Sequence, residues 1–328
     1  MDQTQKKIFP GPPSLFEAAQ SVKKEVWAIG GGKGGTGKSF IAANVGVALS
    51  KMGKRVLLVD ADLGCANLHT VLGVTPSATL SDFVNGKVQS IDKVLTPTDL
   101  PNLMLISGAC DFLEISNPKH TQKNRFIKQI HDLPFEYIIL DLGAGTGFTL
   151  LDFFLSADTG ILSVLPEPTS IENAYRFIKS AFYRRFKKMA KKPEVKALIT
   201  LAMHEKNELG IRTPHDLLDH IASIDDEMGH RMKEAVLTFS PKIIVNQVRS
   251  RDDMTLGFSM RSACAKYFGI KVDYLGYIEY DDYVWMATKK KVPLILERPY
   301  ASSARCLNGI VANLINKDEL TLDSILKV

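Results

Sequence analysis

Residues 32–39 read Gly32-Lys33-Gly34-Gly35-Thr36-Gly37-Lys38-Ser39, which fits the pattern G-x-x-x-x-G-K-[ST]. These residue types suit the holding of phosphate. Glycines let backbone N–H groups turn inward around phosphate oxygens, and a helix opening where the loop ends adds its partial positive charge. Lys38 is placed to neutralise the outer phosphates, and the Ser39 hydroxyl suits Mg²⁺. The expected nucleotide contacts run from Gly32 through Phe40.

Two acids stand where such a site needs them. Asp60 ends the apolar run Arg55–Asp60, with Asp62 just beyond it, and Asp141 ends Tyr137–Asp141 about 100 residues past the loop. A carboxylate at the carboxyl end of a strand, beside a phosphate loop, suits water-mediated Mg²⁺ binding. Asp60 taken alone reads equally well as a helix or turn cap. With the loop and Asp141 it reads as part of a metal site made of Ser39, Asp60 and Asp141.

Such groups need a scaffold that brings distant segments together. Candidate strands are Val26–Gly30, Arg55–Asp60, Leu103–Ser107, Tyr137–Asp141, Ile161–Leu165, Ala197–Ala202, Ile243–Val248 and Tyr274–Ile278. They are continuous runs rich in Val, Ile and Leu, as buried parallel strands should be. The clearest helix is Lys38–Met52, where Ile41, Val45, Ala48, Leu49 and Met52 recur at helical spacing. Alternation of the two types implies an α/β fold, a doubly wound and mostly parallel sheet flanked by helices. Residues 1–22 read as a tail and 23–316 as one phosphate-loop domain. A charged helical insertion is expected near 203–240, and 317–328 as a tail with a short amphipathic helix.

Composition excludes several classes. At 45% hydrophobic and 23% charged residues the chain is neither disordered, collagen-like nor a coiled coil. No apolar run approaches the roughly 18–20 residues that span a bilayer, and the polar N-terminus lacks the apolar region of a secretory leader. A cytoplasmic location is therefore expected. Cys65, Cys110, Cys264 and Cys306 form no C-x-x-C pair, so zinc and iron–sulfur sites are not expected. The histidines are equally unpaired. Lys and Arg total 41 against 36 Asp and Glu, but the excess sits in Tyr183–Lys196; without it 34 bases face 35 acids. Arg184, Arg185, Lys188 and Lys191/Lys192 share one face of a helix there. They read as a contact for non-specific DNA or an anionic membrane surface, or as a solvated helix edge.

The second lysine, Lys33, makes the loop KGGTGKS, which resembles the deviant Walker A motif of the MinD/ParA class of ATPases. RVLLVDADLGCANLH (Arg55–His69) is similar to that class's paired-aspartate strand, and EYIILDLGAG (Glu136–Gly145) to its switch II. LPEPTS followed by ENAYRFIK resembles the FlhG/FleN branch, regulators of flagellar number and placement. The resemblance covers about residues 24–316. It implies ATP and Mg²⁺ as cofactors, and ATP-dependent homodimers in which Lys33 serves the other subunit's phosphates. Asp62 would orient the attacking water; Lys33, Lys38 and Asp62 would form the catalytic set. In IIVNQVR (Ile243–Arg249), Asn246 would bind adenine, a strand-end cap being the plainer reading of that residue. Slow hydrolysis would undo the dimer and release an activating or cargo protein. A peripheral position at the inner membrane face or the nucleoid would follow from the basic helix or from LTLDSILKV (Leu320–Val328), which reads otherwise as a frayed tail or a small docking contact. ParA-like DNA segregation, a nucleotide-binding scaffold and a metabolic ligase of the dethiobiotin synthetase kind are the alternatives.

Overall fold

The computed structural model describes residues 23–62, 64, 66–108, 120–203, 209–211 and 213–326. The expected tail over 1–22 lies outside them, as do Cys65 and Cys110. Among the described residues, eight strands form one sheet: β1 (Glu25–Gly31), β2 (Val56–Ala61), β3 (Leu95–Pro97), β4 (Leu103–Ile106), β5 (Tyr137–Ala144), β6 (Thr159–Val164), β7 (Lys242–Val248) and β8 (Asp273–Glu279). Their order is β3-β4-β2-β5-β1-β6-β7-β8, parallel throughout except for β3 against β4.

Side chains in β1 show why the sheet is buried on both faces. Val26 and Ala28 enter one core while Trp27 and Ile29 enter the other, each no more than 1% exposed. Alternating direction with no alternation in polarity is the mark of a strand covered on both sides. On the Trp27 side lie α1 (Lys38–Lys51) and α2 (Leu68–Val71). On the Val26 side lie α3 (Leu80–Val84), α4 (His120–Asp132), α5 (Phe148–Ser156), α6 (Pro168–Met189), α7 (Pro193–Ala202), α8 (Pro214–Ile224), α9 (Asp226–Leu237) and α10 (Arg251–Phe268). The Trp27 side is completed by α11 (Asp282–Lys290), α12 (Leu294–Glu297) and α13 (Ser302–Asn316); α14 (Leu322–Leu326) follows. Strand order reverses at β1, so the loop leaving it opens at the carboxyl edge, where ligands of such sheets bind.

Two points about the strands differ from expectation. Ala197–Ala202 is the second half of α7 and not a strand. Pro193 opens that helix, and Val195, Leu198, Ile199 and Ala202 are buried at helical spacing. A short apolar run is ambiguous between the two periods, and its neighbours decided it. The edge strand β3 was not expected. It is three residues long and ends on Pro97, which an edge position tolerates.

The basic residues on α6 and just after it have partners within the molecule, while Lys188 and Lys192 stay 43% and 52% exposed. Arg184 and Lys188 pair with Asp152, Arg185 donates to Thr238, and Lys192 pairs with Asp225. These cations fasten α6 and the segment after it to α5 and to the α8–α9 region. Near the C-terminus, Leu320 N–H donates to the Tyr274 carbonyl, and Glu319 pairs with Arg261 and Lys271. In α14, Ile325 is buried and Leu322 is 49% exposed.

Candidate functional site

After β1 the chain doubles back through the glycine loop and enters α1 at Lys38. Gly37 makes that entry in the left-handed region, at φ 88°. A Cβ there would meet Asn246 Nδ2 at 2.3 Å, and one on Gly32 would meet the Asn173 carbonyl at 2.2 Å. Glycine is thus required on steric grounds at both ends, where β7 and α6 press against the loop. The Thr36 carbonyl is held twice, by Ser163 Oγ at 2.6 Å and by Asn246 Nδ2 at 2.9 Å.

That bond changes the account of Asn246. Its Oδ1 also accepts the Gln247 N–H at 2.9 Å, and the residue is 3% exposed. The amide expected to read a base spends its oxygen and one N–H on the backbone around the loop. A second N–H on Nδ2 remains. Bracing by Ser163 lay beyond sequence reasoning, because a lone strand serine carries no spacing signal.

Asp60 and Asp141 stand side by side, paired in register across β2 and β5. Asp60 is fully buried and accepts the Leu68 N–H at 2.9 Å and the Asp62 N–H at 3.2 Å. It therefore caps α2, as its plainer reading allowed, while lying beside Asp141. Burial pushes its carboxyl up to about 7, against the pull of those backbone donors. Asp141 is 1% exposed, and neither of its oxygens has a hydrogen-bond partner among the described residues. Burial, then the Asp60 charge, raise its pKa well above the carboxylate range; Ser39 and Lys38 pull the other way. Lys38 is 8% exposed, and burial lowers its pKa, with Asp141 and Asp62 opposing. The Asp62 carboxylate lies 3.1–3.4 Å from the point where Gly143 would carry a Cβ, so it faces the end of β5.

Lys33 is held outside this pocket. Its Nζ lies 3.1 Å from Glu167 Oε2 and 3.3 Å from Thr169 Oγ1, with the side chains of Lys33 and Glu167 40% and 52% exposed. Neither partner was expected, since more than 130 residues separate them from the loop.

A buried carboxylate with only the Ser39 hydroxyl and Lys38 near it, beside a second carboxylate, is a set of hard oxygens short of a cation. Mg²⁺ fits that set. Among the described residues no three His, Cys, Asp or Glu side chains cluster as a cage. A magnesium ion here would draw its other ligands from water and phosphate, as it commonly does.

The model of the CobQ/CobB/MinD/ParA nucleotide binding domain matches residues 27–294. The chain is similar to the antiactivator FleN of Pseudomonas aeruginosa, 36% identical over 47% of the chain and 55% of that protein. It is 32% identical to the flagellum site-determining protein YlxH of Helicobacter pylori, over 51% of the chain and 56% of YlxH. These matches span little more than half the length of either relative. Among solved structures, the septum site-determining protein MinD of Pyrococcus horikoshii, complexed with Mg-ADP, superposes with a TM-score of 0.59. That match covers 89% of the chain and 96% of MinD at 22% identity, and it shows a shared fold. Because that model matches most of the chain, residues 27–294, the chain belongs to the CobQ/CobB/MinD/ParA nucleotide-binding domain family.

Proposed function

We propose that this chain is a slow ATPase whose ATP-bound form pairs with a second copy of itself, a switch that positions or regulates a cellular structure. The observation that carries this reading is the buried pair Asp60 and Asp141, short of a cation beside Ser39 and Lys38. Ser39, Asp60 and Asp141 would hold Mg²⁺, which supplies the charge that lets both carboxylates ionise together. Lys38 neutralises the outer phosphates from inside the pocket. Ser163 and Asn246 fix the Thr36 carbonyl, which keeps the loop's N–H groups turned toward phosphate, and the second Nδ2 hydrogen of Asn246 is left for the base. Asp62 accepts a hydrogen bond from the attacking water and orients it.

Lys33 supports the pairing. It lies at the rim of the loop against Glu167 and Thr169, with its side chain 40% exposed, where a second copy can reach it. An ion pair this exposed is worth under about 1 kcal/mol, so a second copy's phosphates can take Lys33 from it. Arg184, Arg185, Lys188 and Lys192 have partners within the molecule, and the pairing does not depend on them. A flagellar role is supported by the likeness to YlxH, and a separate activating or cargo protein would set the rate. The test is steady-state ATP hydrolysis against protein concentration. Turnover per subunit should rise with concentration and level off as dimers fill; turnover independent of concentration contradicts the pairing.

A further inference from the structure

The basic face of α6 has work inside the molecule. Asp152, on α5, is fully buried. Arg184 Nε and Nη2 donate to its two oxygens at 2.9 Å each, and Lys188 Nζ lies 2.8 Å from Oδ1. The same guanidinium sits 4.7 Å from the ring centroid of Phe148, the first residue of α5, which is otherwise 65% exposed. One arginine thus grips the first residue of α5 and the residue one turn further on.

What α5 anchors is the link from β5. Gly143, beside the Asp62 carboxylate, is followed by Gly145 at φ 98° and by Gly147, which immediately precedes α5. With so few side chains, the link is held by the Gly145 N–H, which donates to the Gly31 carbonyl at 3.2 Å, and by its two ends. One end is fixed by the pairing of β5 with β1 and β2. The other is the start of α5, held by Arg184. Toward the other end of α6, about 17–25 Å along the helix from Arg184, Asn173 packs on Gly32, and Thr169 and the N-cap residue Glu167 hold Lys33. A single helix therefore sets both the glycine loop and the exit of the acidic link.

We propose that Asp152 and Arg184 are positioning residues for hydrolysis: their ion pair fixes the start of α5 and, through it, the glycine link against the Asp62 carboxylate. This rests on the proposed ATPase reading with Asp62 as the water-orienting group. Nucleotide binding depends on the loop and α1, which the pair does not touch, so turnover and affinity should separate.

The test compares native chain, Asp152→Asn, Arg184→Gln, Arg184→Lys and Asp62→Ala by steady-state ATP hydrolysis with Mg²⁺ and by calorimetric titration with ADP. Asp152→Asn and Arg184→Gln should lower kcat by about ten- to a hundred-fold, the scale of a small misplacement at a catalytic group. KM for ATP and affinity for ADP should stay within about twofold, and Arg184→Lys, which keeps the charge, should recover part of the rate. Should Asp152→Asn fail to fold, Arg184→Gln decides, since Lys188 still serves Asp152 there. Native kcat in Arg184→Gln, or a loss that tracks ADP affinity, overturns the proposal. If Asp62→Ala stops turnover while Arg184→Gln does not, only the positioning role falls. If Asp62→Ala keeps native turnover, the hydrolytic reading falls and this inference falls with it.

Discussion

Asp152 on α5 and the pair Asp60/Asp141 at the ends of β2 and β5 are buried to the same depth, yet their surroundings are opposite. Asp152 has two cations from α6 within 2.9 Å. Asp60 is held by backbone N–H groups, and Asp141 by no hydrogen bond among the described residues. A buried charge is costly unless it is paired, so the first site is complete as folded and the second is left short of positive charge. Completed sites hold helices in place. The one short of a cation lies beside the glycine loop, where a metal and phosphates would complete it.

Neutralising each site should therefore have effects of opposite sign. Asp152→Ala strands Arg184 and Lys188 and should cost about 3 kcal/mol, the low end for breaking a buried pair because Lys188 is 43% exposed. Asp141→Asn removes the repulsion on Asp60 and should raise the unfolding midpoint of the nucleotide-free chain at pH 8. Denaturant titration of both variants checks this; a loss of stability in each would erase the contrast between the sites.

The pH dependence sharpens the same contrast. Asp60 moves from 3.8 to about 7 on folding, so between those values the folded chain keeps a proton that the unfolded chain releases. Its contribution is present in full below about pH 4 and is lost as pH rises through 7, an effect on the order of 4 kcal/mol at most. Melting curves without nucleotide should show that decline, and Mg-ATP should flatten it by favouring the ionised carboxylates. A decline of the same size with Mg-ATP bound would mean that the pair does not face the metal.

The smallest effect belongs to the exposed pair. Glu167→Gln should shift ATP-dependent pairing by less than about 1 kcal/mol, in the direction of more dimer, since Lys33 is then released at no cost. Sedimentation at a series of concentrations can resolve this. A much larger shift would make Glu167 a true lock on Lys33.

The same two regions differ in how readable they were. The placement of Gly32–Ser39 between β1 and α1, and of Asp60 and Asp141 on adjacent strands, could be read because a phosphate site demands particular residues in a short stretch and acids at strand ends. The surroundings of those residues could not. Asn246 meets Thr36 across 210 positions and Lys33 meets Glu167 across 134, and no local pattern encodes such pairings. On α6 the helical spacing of Arg184 and Lys188 was visible, but their destination was a tertiary fact, and an exposed face was inferred where Asp152 waits. Ala197–Ala202 fits a buried strand or a buried helix equally, and Pro193 with the packing of Val195 settled the matter.

The central claim is that ATP, and not ADP, makes this chain pair with itself, with Lys33 acting across the interface and Asp62 ending the state. Light scattering of native, Lys33→Ala and Asp62→Ala proteins with ADP and with ATP measures it directly. The account predicts a monomer with ADP throughout, a trapped dimer for Asp62→Ala with ATP, and a Lys33→Ala monomer that still binds ATP. A native mass that is the same with either nucleotide, together with an Asp62→Ala protein that ATP does not shift to dimer, would contradict it.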